Sequence, residues 1–172
     1  MFTKNYIDFK RNTFQIYNYG SYKTVDGTMK SVSNTNHGVT NHDIGNFMCY
    51  GRCADVSVSD AGIYFGTGST PPTRDDFRLE SPITSGLSIT NLSTTVQYAE
   101  EGEGKYSASA GYVIQNTTDA DINIYEFGAF AKFADARFLM ERTVLTEPIT
   151  IPSGEKKLVT YKIIFNQTLN VE

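Results

Sequence analysis

The sequence predicts an all-β protein: an antiparallel β-sandwich, of jelly-roll or immunoglobulin-like connection, carrying an extended N-terminal arm. Three observations lead there. From Gly62 to Asn166, runs rich in β-branched and aromatic residues recur at about ten-residue spacing, separated by Gly, Pro, Asn, Asp and Ser clusters. No window of useful length carries the three-to-four-residue apolar spacing of a helix. The chain also holds 11 Tyr and 11 Phe with no Trp, side chains that favour strands and fill a small core between two sheets.

The organisation reads as an arm over residues 1–46 and a β-sandwich domain over 47–172. In the arm, Tyr6, Ile7, Phe9, Phe14, Ile16, Tyr17, Tyr19 and Tyr22 are scattered without period, and the stretch from Thr24 to Asn46 is dominated by Asn, Thr, Ser, Gly and His. A polar stretch of that length buries little by itself, so it is expected to lie as an extended segment on another surface. A first strand is placed near Thr13 to Tyr19.

The later strands follow in order. Ala54 to Ser57 and Gly62 to Gly66 flank a Ser59-Asp60-Ala61 turn. Leu87 to Tyr98 reads as one long Thr/Ser-rich strand, and Glu100 to Gly104 as a flexible acidic turn. From Tyr106 to Gln115, side chains at every second position (Tyr106, Ala108, Ala110, Tyr112, Ile114) share one face, because strand side chains alternate. Asn116 to Asp119 is a turn. Ile122 to Phe133 and Arg137 to Leu145 form a hairpin around Ala134-Asp135. Pro152-Ser-Gly154 turns the chain into a last strand, Lys157 to Phe165.

A turn centred on Ala134 sets Phe130 opposite Phe138, Gly128 opposite Met140 and Glu126 opposite Arg142. This places Glu126 and Arg142 on an otherwise apolar face with Ile122, Ile124, Phe130, Phe138, Met140 and Val144. Opposite charges facing across a strand pair contribute roughly 0.2–1 kcal/mol, whereas a buried charge left alone costs several. The pair is therefore expected as a salt bridge inside or at the rim of the sandwich. As chemistry it stands alone: no His or second acid joins it in the pattern, so it reads as structural rather than catalytic.

The remaining candidates for chemistry are weak in spacing. His37, His42, Cys49 and Cys53 are zinc-ligand types, but Cys-x3-Cys is not the tight knuckle spacing and both His precede the Cys. Gly66-Thr-Gly68-Ser-Thr-Pro-Pro lacks the Gly-Lys-Ser/Thr of a phosphate loop and has prolines where a helix should begin. Glu100, Glu101 and Glu103 do not match a calcium loop. No Gly-x-Ser-x-Gly is present, and both His sit in the arm, against a serine hydrolase. No catalytic residue and no cofactor site is assigned. The sequons at Asn91, Asn116 and Asn166 are read as chance.

The bulk numbers narrow the partners. The chain has 172 residues, 40% hydrophobic and 20% charged, with net charge −4 and no Lys/Arg cluster. That is ordinary for a folded domain and argues against nucleic acid, whose phosphates need concentrated positive charge. There is no secretory leader pattern and no apolar run long enough to span a membrane, so a soluble protein made in a cytoplasm is expected. Two cysteines give no disulfide framework.

Several phrases together carry a resemblance. Gly66-Thr-Gly-Ser-Thr-Pro-Pro-Thr-Arg-Asp-Asp-Phe-Arg-Leu-Glu-Ser-Pro-Ile83 resembles a segment that precedes a β-sandwich in tailed-bacteriophage virion proteins. Glu126-Phe-Gly-Ala-Phe130, Phe138-Leu-Met-Glu-Arg-Thr-Val-Leu145, Pro148-Ile-Thr-Ile-Pro-Ser-Gly-Glu155 and Val159-Thr-Tyr-Lys-Ile163 resemble later strands and the closing turn of that group, in the same order. The resemblance covers about residues 62 to 166. It implies a non-enzymatic virion component (head decoration, head fibre, collar or tail subunit), assembled in the host cytoplasm, multimeric, and in contact with copies of itself and other virion proteins. No functional residues come with it. The alternative is a carbohydrate- or receptor-binding module in which Tyr50, Tyr64, Tyr98 or Tyr112 stacks on sugar.

Overall fold

The computed structural model describes Thr3 and residues 20–32, 51–52, 61–92, 97–102, 105–133 and 136–166. Among them there is no helix. The strands, in chain order, are β1 (Gly20–Lys23), β2 (Met29–Val32), β3 (Gly51–Arg52), β4 (Gly62–Gly66), β5 (Leu87–Asn91), β6 (Gln97–Gly102), β7 (Lys105–Asn116), β8 (Ile122–Phe133), β9 (Ala136–Ile151) and β10 (Lys156–Asn166). They make two four-stranded sheets and a separate two-stranded hairpin.

The first sheet runs β3-β4-β8-β9. It is antiparallel except at β3, whose two residues pair parallel to β4, a departure from the all-antiparallel expectation. In the second sheet β7 is central. β10 pairs along its whole length, and β5 and β6 lie end to end along its other edge. The expected single strand from Leu87 to Tyr98 is therefore two strands. Asn91 pairs with Tyr112 and Gln97 with Ser109, so the two strands meet separate stretches of β7. Leu92 then folds over Gly111, where an added Cβ would lie 3.2 Å from it. Glu100 and Glu101, expected in a flexible turn, belong to β6, next to an irregularity between Glu100 and Gly102.

Alternation along β7 holds. Ala108, Ala110, Tyr112 and Ile114 are buried and join Leu87, Val159, Tyr161 and Ile163 of the same sheet. Ile63, Phe65, Phe127, Ala129, Ala131, Phe138 and Met140 of the other sheet belong to the same buried cluster. Edge-to-face aromatic pairs tie it together: Phe65 to Tyr112 at 6.2 Å and Phe65 to Phe127 at 5.4 Å between ring centroids. Asn116, wholly buried, organises the β7–β8 turn. Its Nδ2 donates to Ala120 O at 2.7 Å and Ile151 O at 2.9 Å, and its Oδ1 accepts from the Thr118 N–H and hydroxyl. That burial leaves no room for a glycan at this sequon.

The region assigned to an extended arm, with a strand expected only near Thr13 to Tyr19, contains the β1–β2 hairpin. Its turn is Thr24-Val25-Asp26-Gly27. The Gly27 N–H donates to Thr24 O at 2.9 Å, Gly27 takes φ 87°, and Asp26 Oδ1 accepts from the Thr24 hydroxyl and from the Thr28 N–H at 2.9 Å. Asp-Gly is the strongest short hairpin signal, and here it outweighs the polar composition around it. The strand expected at Thr13 to Tyr19, and that at Ala54 to Ser57, lie outside the described residues. Thr3 is fully buried; its N–H donates to Met140 O at 2.8 Å and its hydroxyl to Leu139 O at 2.7 Å.

Candidate functional site

The first sheet has a second buried face. There Tyr64, Phe130 and Leu139 meet Leu79, and Val25 of the hairpin packs against them. Tyr64 and Phe130 stack edge to face at 5.1 Å, and the Arg137 guanidinium lies 4.3 Å from the Tyr64 ring centroid and 4.6 Å from that of Phe130. Leu79 reaches this face because Gly128 has no side chain: a Cβ there would sit 2.7 Å from Leu79 Cδ2. The segment 67–81 thus lies over the sheet as a strap between β4 and the isolated bridge Gly66↔Pro82.

What fastens the strap is one carboxylate. Glu126, fully buried, accepts from the Gly68 N–H at 3.2 Å and the Ser81 N–H at 2.8 Å through Oε1, and from the Glu80 N–H at 3.1 Å through Oε2. Arg142 Nε donates to the same Oε2 at 2.7 Å. The other guanidinium nitrogens reach the strap: Nη1 to Asp76 Oδ2 at 2.9 Å and Nη2 to Glu80 Oε2 at 3.3 Å. Asp76 is held by the Thr73 N–H and hydroxyl at 3.0 and 2.7 Å, and Glu80 by those of Thr70 at 2.9 and 2.6 Å. Gly66 and Gly68 are required for so close an approach. An added Cβ would come within 2.6 Å of Glu126 Cγ at the first and of Glu126 Oε1 at the second.

Electrostatics follows from these contacts. Burial pushes Asp76 up, but the Thr73 hydrogen bonds and the Arg142 guanidinium hold it below the ordinary aspartate range. The Thr70 hydroxyl and N–H, with Arg142 adding, hold Glu80 below the usual glutamate range. Burial alone lowers Arg142, yet its bonds to Glu126 and Asp76 raise it overall, so it stays charged.

The expected Glu126–Arg142 salt bridge is present, but its register and its face differ from the expectation. Arg142 stands opposite Gly128, and Glu126 opposite Val144. The hairpin closes Phe133 against Ala136, and the register shifts once more at Ala129/Phe130, where Met140 is the extra residue. Phe138 and Met140 consequently point into the core shared by the two sheets, away from Glu126. A second irregularity between Ile124 and Glu126 turns Ile124 into that core as well. The pair spans the strands diagonally, which a long arginine side chain permits.

Chemically this cluster is closed. Every Glu126 oxygen is engaged and none is reached by solvent, so it holds backbone rather than presenting a base. Among the described residues no group of three or more His, Cys, Asp or Glu is placed to hold a metal ion. His37, His42, Cys49 and Cys53 lie outside the described residues. No described helix is long and apolar enough to cross a membrane. Tyr64 and Tyr112 are about 1% and 0% exposed and offer no ring to a sugar, which corrects their reading as stacking residues; their packing faces are the reason. Tyr50 and the Tyr98 side chain lie outside the described residues.

A second feature was not anticipated. A cleft of about 440 Å³ is lined by Phe127, Leu145, Ile149, Val159 and Ile163, with Glu141 at its wall. Glu141 accepts from the Tyr161 hydroxyl and from the Thr143 hydroxyl at 2.5 Å. Burial first, and the Glu141 charge second, push the Tyr161 phenol well above its ordinary value.

No protein-family model, no curated protein and no solved structure matches this chain.

Proposed function

We propose that this chain is a non-enzymatic structural component of a bacteriophage virion, a head, neck or tail subunit that works through contacts with copies of itself and with other virion proteins. The same reading takes the two sheets as the layers of a β-sandwich, of jelly-roll or immunoglobulin-like kind, with residues 1–46 as an arm laid on neighbouring surface. The localisation that follows is the particle, after assembly in the host cytoplasm.

One observation supports this most. The phrases that resemble virion proteins are far apart in sequence yet meet at one place: Gly66, Gly68, Asp76, Leu79 and Glu80 from the first, Glu126 and Gly128 from the second, Arg142 from the third. Their shared task is to hold a surface loop in one shape without offering a reactive group. A scaffold with its polar groups spent on rigidity suits a subunit that presents fixed surfaces to neighbours, because ordering beforehand lowers the entropy lost on association.

Quantitative mass spectrometry of purified particles tests it. Tens to hundreds of copies per particle are expected of such a subunit, and absence from particles while the gene is expressed would overturn the reading.

A further inference from the structure

We propose that residues 67–81 form a strap that lifts off the first sheet as one unit, pivoting at Gly66 and Pro82 while both sheets stay folded, and that Glu126 is its latch.

The way the strap is fastened carries this. At its base the Thr67 N–H donates to Ser81 O at 2.8 Å and the Ile83 N–H to Phe65 O at 2.8 Å, closing a stem. Beyond the stem, the backbone N–H groups of Gly68, Glu80 and Ser81 reach the sheet at the Glu126 carboxylate, and Arg142 adds side-chain bonds to Asp76 and Glu80. They belong to no strand ladder, so releasing them leaves every sheet pairing intact. Within the strap, Thr70–Glu80 and Thr73–Asp76 are tied to each other, so the segment keeps its shape when it moves. Its main apolar anchor, Leu79, belongs to the small cluster with Tyr64, Phe130 and Leu139, which is separate from the large cluster between the sheets. The hairpin adds Val25, packed against that cluster, and Lys23 Nζ over the Phe77 ring at 4.0 Å. Elements with few apolar contacts and their own bonding set open at lower free energy than a shared core.

Opening uncovers Tyr64, Phe130 and Leu139 on the outer face.

Native-state hydrogen exchange on the whole chain tests it. The Gly68, Glu80 and Ser81 amides should exchange at one common rate, about tenfold or more faster than the β7 amides, with a smaller urea dependence. In Glu126→Gln, one remaining oxygen faces four donors, and those three amides should speed up about tenfold or more while keeping a urea dependence smaller than that of β7. Strap amides that share the β7 rate and urea slope, in the parent or in the variant, would overturn the proposal. If the variant does not fold, the urea slopes of the unaltered protein decide by themselves. Particle mass spectrometry reads the virion role separately, so failure of one leaves the other standing.

Discussion

Glu126 and Arg142 are joined at 2.7 Å although neither stands opposite the other: Arg142 faces Gly128 and Glu126 faces Val144. The offset matters to energetics. It sets the guanidinium beside the strap, where Nη1 and Nη2 reach Asp76 and Glu80, and it leaves Glu126 in reach of three backbone N–H groups. A buried ion pair by itself is weak support for stability, since an apolar replacement of like volume is often neutral. This pair differs, because removing it also strands backbone donors.

Removing one partner should be severe. Glu126→Gln or Glu126→Ala is expected to cost about 3–5 kcal/mol, read as a lower urea midpoint, because Arg142 stays buried without its closest acceptor. The double variant Glu126→Leu with Arg142→Met should not recover the loss, since the Gly68, Glu80 and Ser81 amides remain unpaired. Full recovery in the double variant would show that the backbone bonds contribute little.

Gly68→Ala should destabilise by about 1–3 kcal/mol, the range for forcing atoms into a packed site. The added methyl would lie 2.6 Å from both Glu126 Oε1 and Glu80 Cβ. Ser69→Ala, at an exposed neighbour, should stay within about 0.5 kcal/mol. Equal thermal midpoints for the two variants would contradict the close approach.

Acid should loosen the strap. Asp76 and Glu80 have folded values below their ordinary 3.8 and 4.5. A lowered carboxylate contributes stability that is present above its unfolded value and is lost as pH falls through the folded one. The urea midpoint should therefore hold from neutrality to roughly pH 5 and decline below it. Asp76→Asn should make that decline shallower; an unchanged acid limb would remove Asp76 from the account.

Alkali should act through Tyr161. Its phenol is raised well above 10.0, first by burial and then by Glu141. A raised group contributes stability fully present below its unfolded value and lost as pH rises through the folded one. Stability should thus fall above about pH 10, and Tyr161→Phe should reduce that fall while leaving the Glu141 carboxylate short of a donor. Denaturation profiles of the two proteins between about pH 9 and pH 11, roughly a unit either side of the ordinary tyrosine value, give the comparison.

Asn116→Ala should cost more than a surface substitution, about 1–3 kcal/mol for each buried partner left unsatisfied. Its amide holds Ala120 O and Ile151 O, and its carbonyl holds Thr118. Far-ultraviolet circular dichroism should stay β-type while the thermal midpoint drops; a midpoint equal to the parent's would mean that water replaces these bonds.

Strands form where the side-chain period along the sequence is regular. β4 spans Gly62 to Gly66 and β8 spans Ile122 to Phe133, as the alternating apolar runs require, and β7 buries Ala108, Ala110, Tyr112 and Ile114 on one face. Where the period is interrupted, reading failed. One extra residue at Met140 and the irregularity between Ile124 and Glu126 each reverse the facing of everything beyond them, and a bulge leaves no mark that alternation can detect. The Asp26-Gly27 turn is a hairpin signal set in polar surroundings that by composition favour a loop.

By itself the sequence determined that this chain makes strands rather than helices, the bounds of β4, β7, β8 and β10 to within a residue, and that Glu126 needs Arg142. Those properties are local or pairwise: side-chain period, turn residues, and the cost of a lone buried charge. Only the tertiary structure decided which strands pair, that β5 and β6 share an edge of β7, and that Gly66, Gly68, Asp76 and Glu80 converge on one carboxylate. Contacts between residues as far apart as Asp76 and Arg142 depend on register and on where the chain crosses the sheet. A one-residue slip changes both, and nothing in the local composition records it.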